Sequence, residues 1–183
     1  MTLFWTIVAI LLLAWAVIAY NRLVRLRNQV RTAWADIDVQ LTRRHDLVPQ
    51  LVEAVKAYAS HERSVLEAVA TLRSRAVGLN SPAQLAQVES ELEQALSRVF
   101  ALKEAYPDLK ASDNFAQLQR DLVDVEEHLQ YARRFYNGAV RDYNNTVQRV
   151  PDVAIARIGN FTLSEFYQAR DEERAAVRVE VAP

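Results

Sequence analysis

The chain has 183 residues and a formal net charge of −1, enough for one ordinary domain plus an anchor and too nearly neutral to attract nucleic acid by bulk electrostatics. It has no cysteine, which excludes disulfides, thiolate metal sites and a thiol nucleophile. Three glycines and five prolines in a chain that is 51% hydrophobic suit helices and leave little material for hairpin turns.

From Leu3 to Tyr20 the chain reads LFWTIVAILLLAWAVIAY, without a charge and with Thr6 as its one clearly polar side chain. As a helix rising ~1.5 Å per residue, this stretch covers about 27 Å, close to the hydrocarbon thickness of a bilayer. Phe4, Trp5 and Tyr20 sit where amphipathic rings settle at the two interfaces. A cleaved signal peptide would read similarly around Ala14-Trp15-Ala16. Against it, no Lys or Arg precedes Ile7, and the apolar run continues without a break into a helical pattern. Arg22, Arg25, Arg27 and Arg31 follow the span, so the positive-inside rule places the N-terminus outside and the rest of the chain in the cytoplasm. Arg22, Arg25 and Arg27 are the residues expected against lipid headgroups.

Four further segments carry apolar residues at helical spacing, and they predict helices over about 21–45, 49–78, 82–105 and 113–150. The first stripe, Leu23, Leu26, Val30, Ala33, Ile37 and Leu41, continues the anchor. Between the first two, Arg43-Arg44-His45-Asp46 interrupts the stripe and Pro49 follows, which fits either a turn or a kinked continuous helix. The turn is the expectation, because it yields four helices of usable length. Gly78 is expected to close the second helix in a left-handed cap, and Glu62 is the polar intruder in its stripe. Ser81-Pro82 and Ser112 mark the next two starts, and Pro151 stops the fourth. The fold class is thus all-α: a transmembrane helix over 1–20, continuous with an antiparallel up-down-up-down four-helix bundle over 21–150. Residues 151–183 read as an irregular tail, with a short charged helix fitting Ser164 to Ala176 and strand-like alternation at Val177, Val179 and Val181. In such a bundle the fourth helix returns to the membrane, which puts Ile155, Ile158 and Phe161 at its surface.

No catalytic motif is present. The positions where a di-iron bundle places glutamate before each histidine hold Thr42, Tyr58 and Val125, and no HExxH or glycine-rich phosphate loop occurs. No enzymatic activity, cofactor or metal is expected, and His45, His61 and His128 read as isolated, solvated side chains. Two polar groups stand out. Asp36, Asp38, Arg43 and Arg44 form a dense edge on the first helix, either a solvated face or a contact surface for another subunit. On the fourth, Tyr136-Asn137 recurs as Tyr143-Asn144. There the tyrosines belong to the core with partners for their hydroxyls, and Asn137 and Asn144 are candidates for fixing helix register or a subunit contact.

The stretch Trp34-Ala35-Asp36-Ile37-Asp38-Val39-Gln40-Leu41-Thr42-Arg43-Arg44-His45-Asp46-Leu47-Val48-Pro49-Gln50-Leu51-Val52, with Arg133-Arg134-Phe135-Tyr136-Asn137 through Tyr143-Asn144, resembles the signatures of the LemA family. The resemblance covers roughly residues 1–151 and includes the preceding span with Tyr20-Asn21 and Leu23-Val24. It implies a single N-terminal span with the N-terminus outside and a helical bundle inside, and it implies no activity. Family relatives in bacterial organelle membranes point to membrane organisation. Beyond Pro151 the chain departs from the usual family ending, which Glu165-Phe166-Tyr167 and Asp171-Glu172-Glu173 only echo. The function expected is therefore structural: a scaffold that self-associates at the cytoplasmic face of a bacterial inner membrane. The alternative is an adaptor that docks one membrane partner, such as a protease or a transport component. Expected partners are the lipid bilayer, further copies of the chain and a membrane protein, and not nucleic acid.

Overall fold

The computed structural model describes residues 1–168. Its helices are α1 (Thr2–Lys56), α2 (Arg63–Val77), α3 (Pro82–Ala101), α4 (Pro107–Lys110), α5 (Asp113–Gln148) and α6 (Asp152–Ile158), with a 3₁₀ turn over Leu102–Glu104. No strand occurs among the described residues. Residues 164–168 are not helical, and the rest of the charged helix expected over Ser164–Ala176 lies outside the described residues, as do Val177, Val179 and Val181. α1 contains the one helix window among the described residues that is long and apolar enough to cross a membrane, with only 6% of that window buried.

The structure corrects the expectation at Pro49. No turn occurs there: α1 runs through Pro49 to Lys56, and the chain reverses after it. Leu51 and Val55, expected on the second helix, are therefore fully buried residues of α1. Glu62 lies before α2 instead of within its stripe. A proline inside a helix has no N–H for the carbonyl four residues earlier. That carbonyl is His45 O, and Arg73 Nε of α2 donates to it at 2.6 Å. The bond lost to the proline is replaced from a neighbouring helix, so the helix continues. Gly78 does cap α2, but at φ −95°, not in the left-handed conformation. The Ser81-Pro82 start is as expected, with Ser81 Oγ accepting from Gln84 N at 3.4 Å. Ser112 Oγ likewise accepts from Phe115 N at 3.4 Å.

The chain divides into two compact units. Unit 1 comprises residues 1–43 and 124–166. In it α1 and α5 are antiparallel, because Arg43 meets Asp124 at 3.0 Å while the Trp34 and Tyr136 rings stand 5.3 Å apart. Leu23, Val30, Ile37 and Leu41 are buried on α1, and Leu129, Val140, Tyr143 and Val147 on α5. Unit 2 takes residues 44–123 and, among the described residues, 167–168. Its apolar core joins Val48, Leu51 and Val55 of α1 to Leu66 and Val69 of α2, Leu92, Ala95 and Val99 of α3, and Phe115 and Leu118 of α5.

The role of Arg73 is open to measurement. Arg73→Ala leaves the His45 carbonyl without its donor and should destabilise the chain by about 1–3 kcal/mol in denaturant unfolding. In a Pro49→Ala background the helix supplies its own N–H, and the same change should cost clearly less. Equal costs in the two backgrounds would contradict the assignment.

Candidate functional site

In unit 2 a charged cluster lies inside the core. Residues 37, 41, 44, 48 and 51 form one core-facing row of α1, so Arg44 points inward, only 2% exposed. On α3, Glu89 stands four residues after Leu85 and three before Leu92, and it is fully buried. Arg44 Nη1 donates to Glu89 Oε2 at 3.0 Å, and His45 Nε2 lies 2.7 Å from Glu89 Oε1. Burial alone pushes the Glu89 carboxyl up, but the His45 hydrogen bond and the Arg44 guanidinium outweigh it and hold it below the usual carboxylate value. This cluster corrects two expectations. Arg44 does not lie on an outer edge, and His45 is not solvated, whereas His61 and His128 are exposed. Glu89 escaped the sequence reading, although a carboxylate on an apolar stripe was its visible signal.

Unit 1 keeps the outer edge. Asp36 and Asp38 are exposed, and Arg43 pairs with Asp124 with both side chains about half exposed. Beside them α1 and α5 enclose a groove of about 340 Å³ lined by Asp36, Val39, Gln40, His128, Tyr131, Ala132 and Phe135. Val39 is 62% exposed, Tyr131 68% and Phe135 51%. The Arg134 guanidinium lies 4.6 Å from the Tyr131 ring centroid. Asn137 is partly buried on the adjoining part of α5.

The Tyr-Asn repeat holds a strap. After α6 the chain turns with a Schellman pattern: Phe161 N donates to Ala156 O at 2.9 Å, Asn160 N to Arg157 O at 3.3 Å, and Asn160 takes φ 51°. A Cβ at Gly159 would come within 2.6 Å of the Phe161 ring, so glycine is what lets that ring fold back. Tyr143 Oη then donates to Thr162 O at 2.8 Å and Tyr136 Oη to Glu165 O at 2.8 Å. Asn144 pairs with Ser164 in both directions, Nδ2 to O and N to Oδ1, each at 2.9 Å. Burial and then the Glu165 charge push the Tyr136 hydroxyl up to about 12, and burial raises Tyr143 against the opposing charges of Arg27 and Arg31. Both hydroxyls thus remain donors.

The strap also meets the end of the apolar N-terminal segment of α1. The Phe161 and Tyr20 rings stand 5.6 Å apart, and the Arg27 guanidinium lies 4.8 Å from the Phe161 centroid. Arg22 Nη1 reaches the buried Asp152 carboxylate at 4.0 Å, and Arg149 binds the same oxygen at 2.6 Å. Of the residues expected at the membrane surface, Phe161 is 6% exposed and packed within the protein, Ile155 is partly buried, Arg25 is exposed and Ile158 is 81% exposed.

The model of the LemA family matches residues 33–181. The chain belongs to the LemA family. Two magnetosome proteins MamQ of Paramagnetospirillum magneticum, MamQ 1 and MamQ 2, are each 24% identical over 182 residues, covering 82% of this chain and 65% of theirs. The chain thus spans just under two thirds of those relatives. Protein LemA of Metamycoplasma hominis is 24% identical over 161 residues, covering 86% of this chain and 72% of its own length. The family signature read from Trp34 to Val52 is thus divided in this LemA chain between an exposed groove in unit 1 and a buried charge cluster in unit 2.

The cluster carries a pH signature. The folded pKa of Glu89 lies below its ordinary 4.5, so its contribution is fully present above that value and is lost as pH falls through the folded pKa. Glu89→Gln removes the carboxylate that faces Arg44 and His45 and should lower stability by about 3–5 kcal/mol at neutral pH. The difference between wild type and Glu89→Gln should shrink on acidification, read from unfolding midpoints. A difference that stays constant with pH would remove the ionised Glu89 from the account.

Proposed function

We propose that this LemA-family chain is a structural protein, anchored by residues 1–20 in a bacterial inner membrane, that self-associates through unit 1 at the cytoplasmic face. The observation that carries this reading is the exposed groove between α1 and α5. Val39, Tyr131 and Phe135 are apolar side chains that a solitary soluble face would leave wet, and burying aromatic rings is what drives association. Asp36 lines the α1 wall, and on the α5 wall the Arg134 guanidinium lies over the Tyr131 ring, so the two walls carry opposite charge. A second copy related by a two-fold axis would bring each wall against the other. In this reading the four long helices alternate in direction, and Arg22, Arg25 and Ile158 contact the bilayer surface. The chain performs no catalysis.

Membrane confinement supports the same reading, since copies held in one plane meet at a raised effective concentration. The arginines after the span favour the cytoplasmic side, so a reporter active only outside the cytoplasm and fused after Pro183 should stay silent; activity would reverse the orientation. Self-association is read from particle size after mild detergent extraction. Wild type should run as a large uniform assembly, and Tyr131→Glu with Phe135→Glu should shrink it while helix content by circular dichroism is unchanged. A wild type that runs as a monomer or dimer with a co-purifying protein would replace the scaffold with an adaptor. A large particle that survives both changes would move the interface elsewhere.

A further inference from the structure

The strap and α5 together locate α6. α5 is antiparallel to α1 and runs toward the apolar end of that helix. The strap runs back along α5, bonded to Tyr143 at Thr162 and to Tyr136 at Glu165. α6, between them, is the turning point. Its first residue, Asp152, meets Arg22, and Phe161 after it meets Tyr20, so α6 lies beside the turn of α1 where the apolar stretch ends. Asp152 and Ala156 face inward, whereas Ala154 and Ile158, four residues apart, share the outward face. Val150, just before the helix, is 80% exposed. Charge is concentrated at the same level. Residues 20–31 and 143–161 hold Arg22, Arg25, Arg27, Arg31, Arg149 and Arg157 against one acidic residue, Asp152, in a chain whose formal net charge is −1. Arg22 and Arg149 converge on one oxygen of Asp152, at 4.0 and 2.6 Å, and both side chains stay half exposed. One carboxylate balances only one of the two guanidiniums, so the pair keeps charge and donors for a phosphate.

We propose that α6 is a membrane-surface helix that recognises anionic phospholipid: Val150, Ala154 and Ile158 enter the interface, and Arg22 with Arg149 holds the headgroup phosphate. The inference rests on the anchoring reading and names the lipid chemistry it uses. Two observations favour lipid as the occupant. The exposed apolar side chains adjoin a stretch of α1 long and apolar enough to cross a bilayer, so the same medium covers both. The arginines beside them complement the negative surface of a membrane that contains anionic lipid. Asp152 has a defined part in the site. Buried and shared, it holds the two guanidiniums close together, from α1 and from the end of α5, without cancelling both.

The chain has no cysteine, so Ala154→Cys accepts a single fluorophore. The labelled full chain is placed in bilayers of phosphatidylcholine and phosphatidylglycerol at one fixed ratio. A nitroxide high on the acyl chain is carried by phosphatidylglycerol in one preparation and by an equal amount of phosphatidylcholine in the other. The proposal expects the label to be quenched in both, at least about twofold more strongly by the anionic lipid. Arg149→Gln, which leaves Asp152 its Arg22 partner, should bring the two to equality with helix content by circular dichroism unchanged. A preference that survives this change refutes the guanidinium pair as the headgroup site. Should that variant fail to fold, the wild-type comparison still decides, because equal quenching by the two lipids refutes anionic recognition. Inorganic phosphate added at constant ionic strength should leave the preference intact, and its loss would make free phosphate the ligand and refute lipid. Trp5 and Trp15 of the unlabelled chain report the apolar stretch itself. If they are quenched and the label is not, α6 does not touch lipid and the proposal falls while anchoring stands. If neither is quenched, both fall.

Discussion

A buried carboxylate constrains this protein more than any other group. Glu89 has no exposed surface, and a charge in that position is tolerable only if other groups replace the water it lost. Arg44 and His45 provide that replacement, and they are consecutive residues of one helix. Because both must face Glu89, the rotation of α1 about its axis and its height along α3 are fixed together. A shifted register would separate this buried charge from the groups that replace its water, which costs several kcal/mol. The Arg73 bond to the His45 carbonyl extends the same arrangement to α2. Three helices of unit 2 are thus located by polar groups set in an apolar core.

Unit 1 uses the same device at lower charge. Two tyrosine hydroxyls and one asparagine amide hold a segment with no regular secondary structure, supplying partners to backbone groups that neither helix nor sheet would satisfy. Phe161 ties that segment to Tyr20 and Arg27, at the end of the apolar N-terminal stretch of α1. The ring that would otherwise favour lipid is taken up by the protein, and the outward-facing apolar residue of α6 is Ile158. The LemA chain therefore fixes by hydrogen bonds what a larger protein would fix by burying more surface.

Much of this was legible in the sequence, and what was not has physical causes. The apolar N-terminal helix, the α3 and α5 starts and the end of α5 follow from apolar spacing and from Ser-Pro and Ser caps, which are local signals. The fate of Pro49 is decided by Arg73, twenty-four residues later, so no local rule distinguishes a turn from a helix that borrows a donor. Charge alone puts Arg44 on an outer edge and His45 in solvent, although Arg44 continues the row of Ile37 and Leu41. Glu89 carried the same mismatch on α3. The tyrosines of the Tyr-Asn repeat lie in the core with partnered hydroxyls, as their place on the apolar stripe implies. The bond from Asn144 to Ser164 was invisible because the strap has no periodicity to announce it.

If the cluster around Glu89 serves only to locate helices, its chemistry is replaceable, and what matters is a filled, matched volume. The direct measurement is a paired substitution, Arg44→Met with Glu89→Leu, which removes both charges and keeps the space occupied. The account predicts that the pair recovers most of the stability lost by either single change, and that particle size in mild detergent equals that of wild type. Recovery of stability with loss of the assembly would contradict it, because the charges would then be needed for association itself.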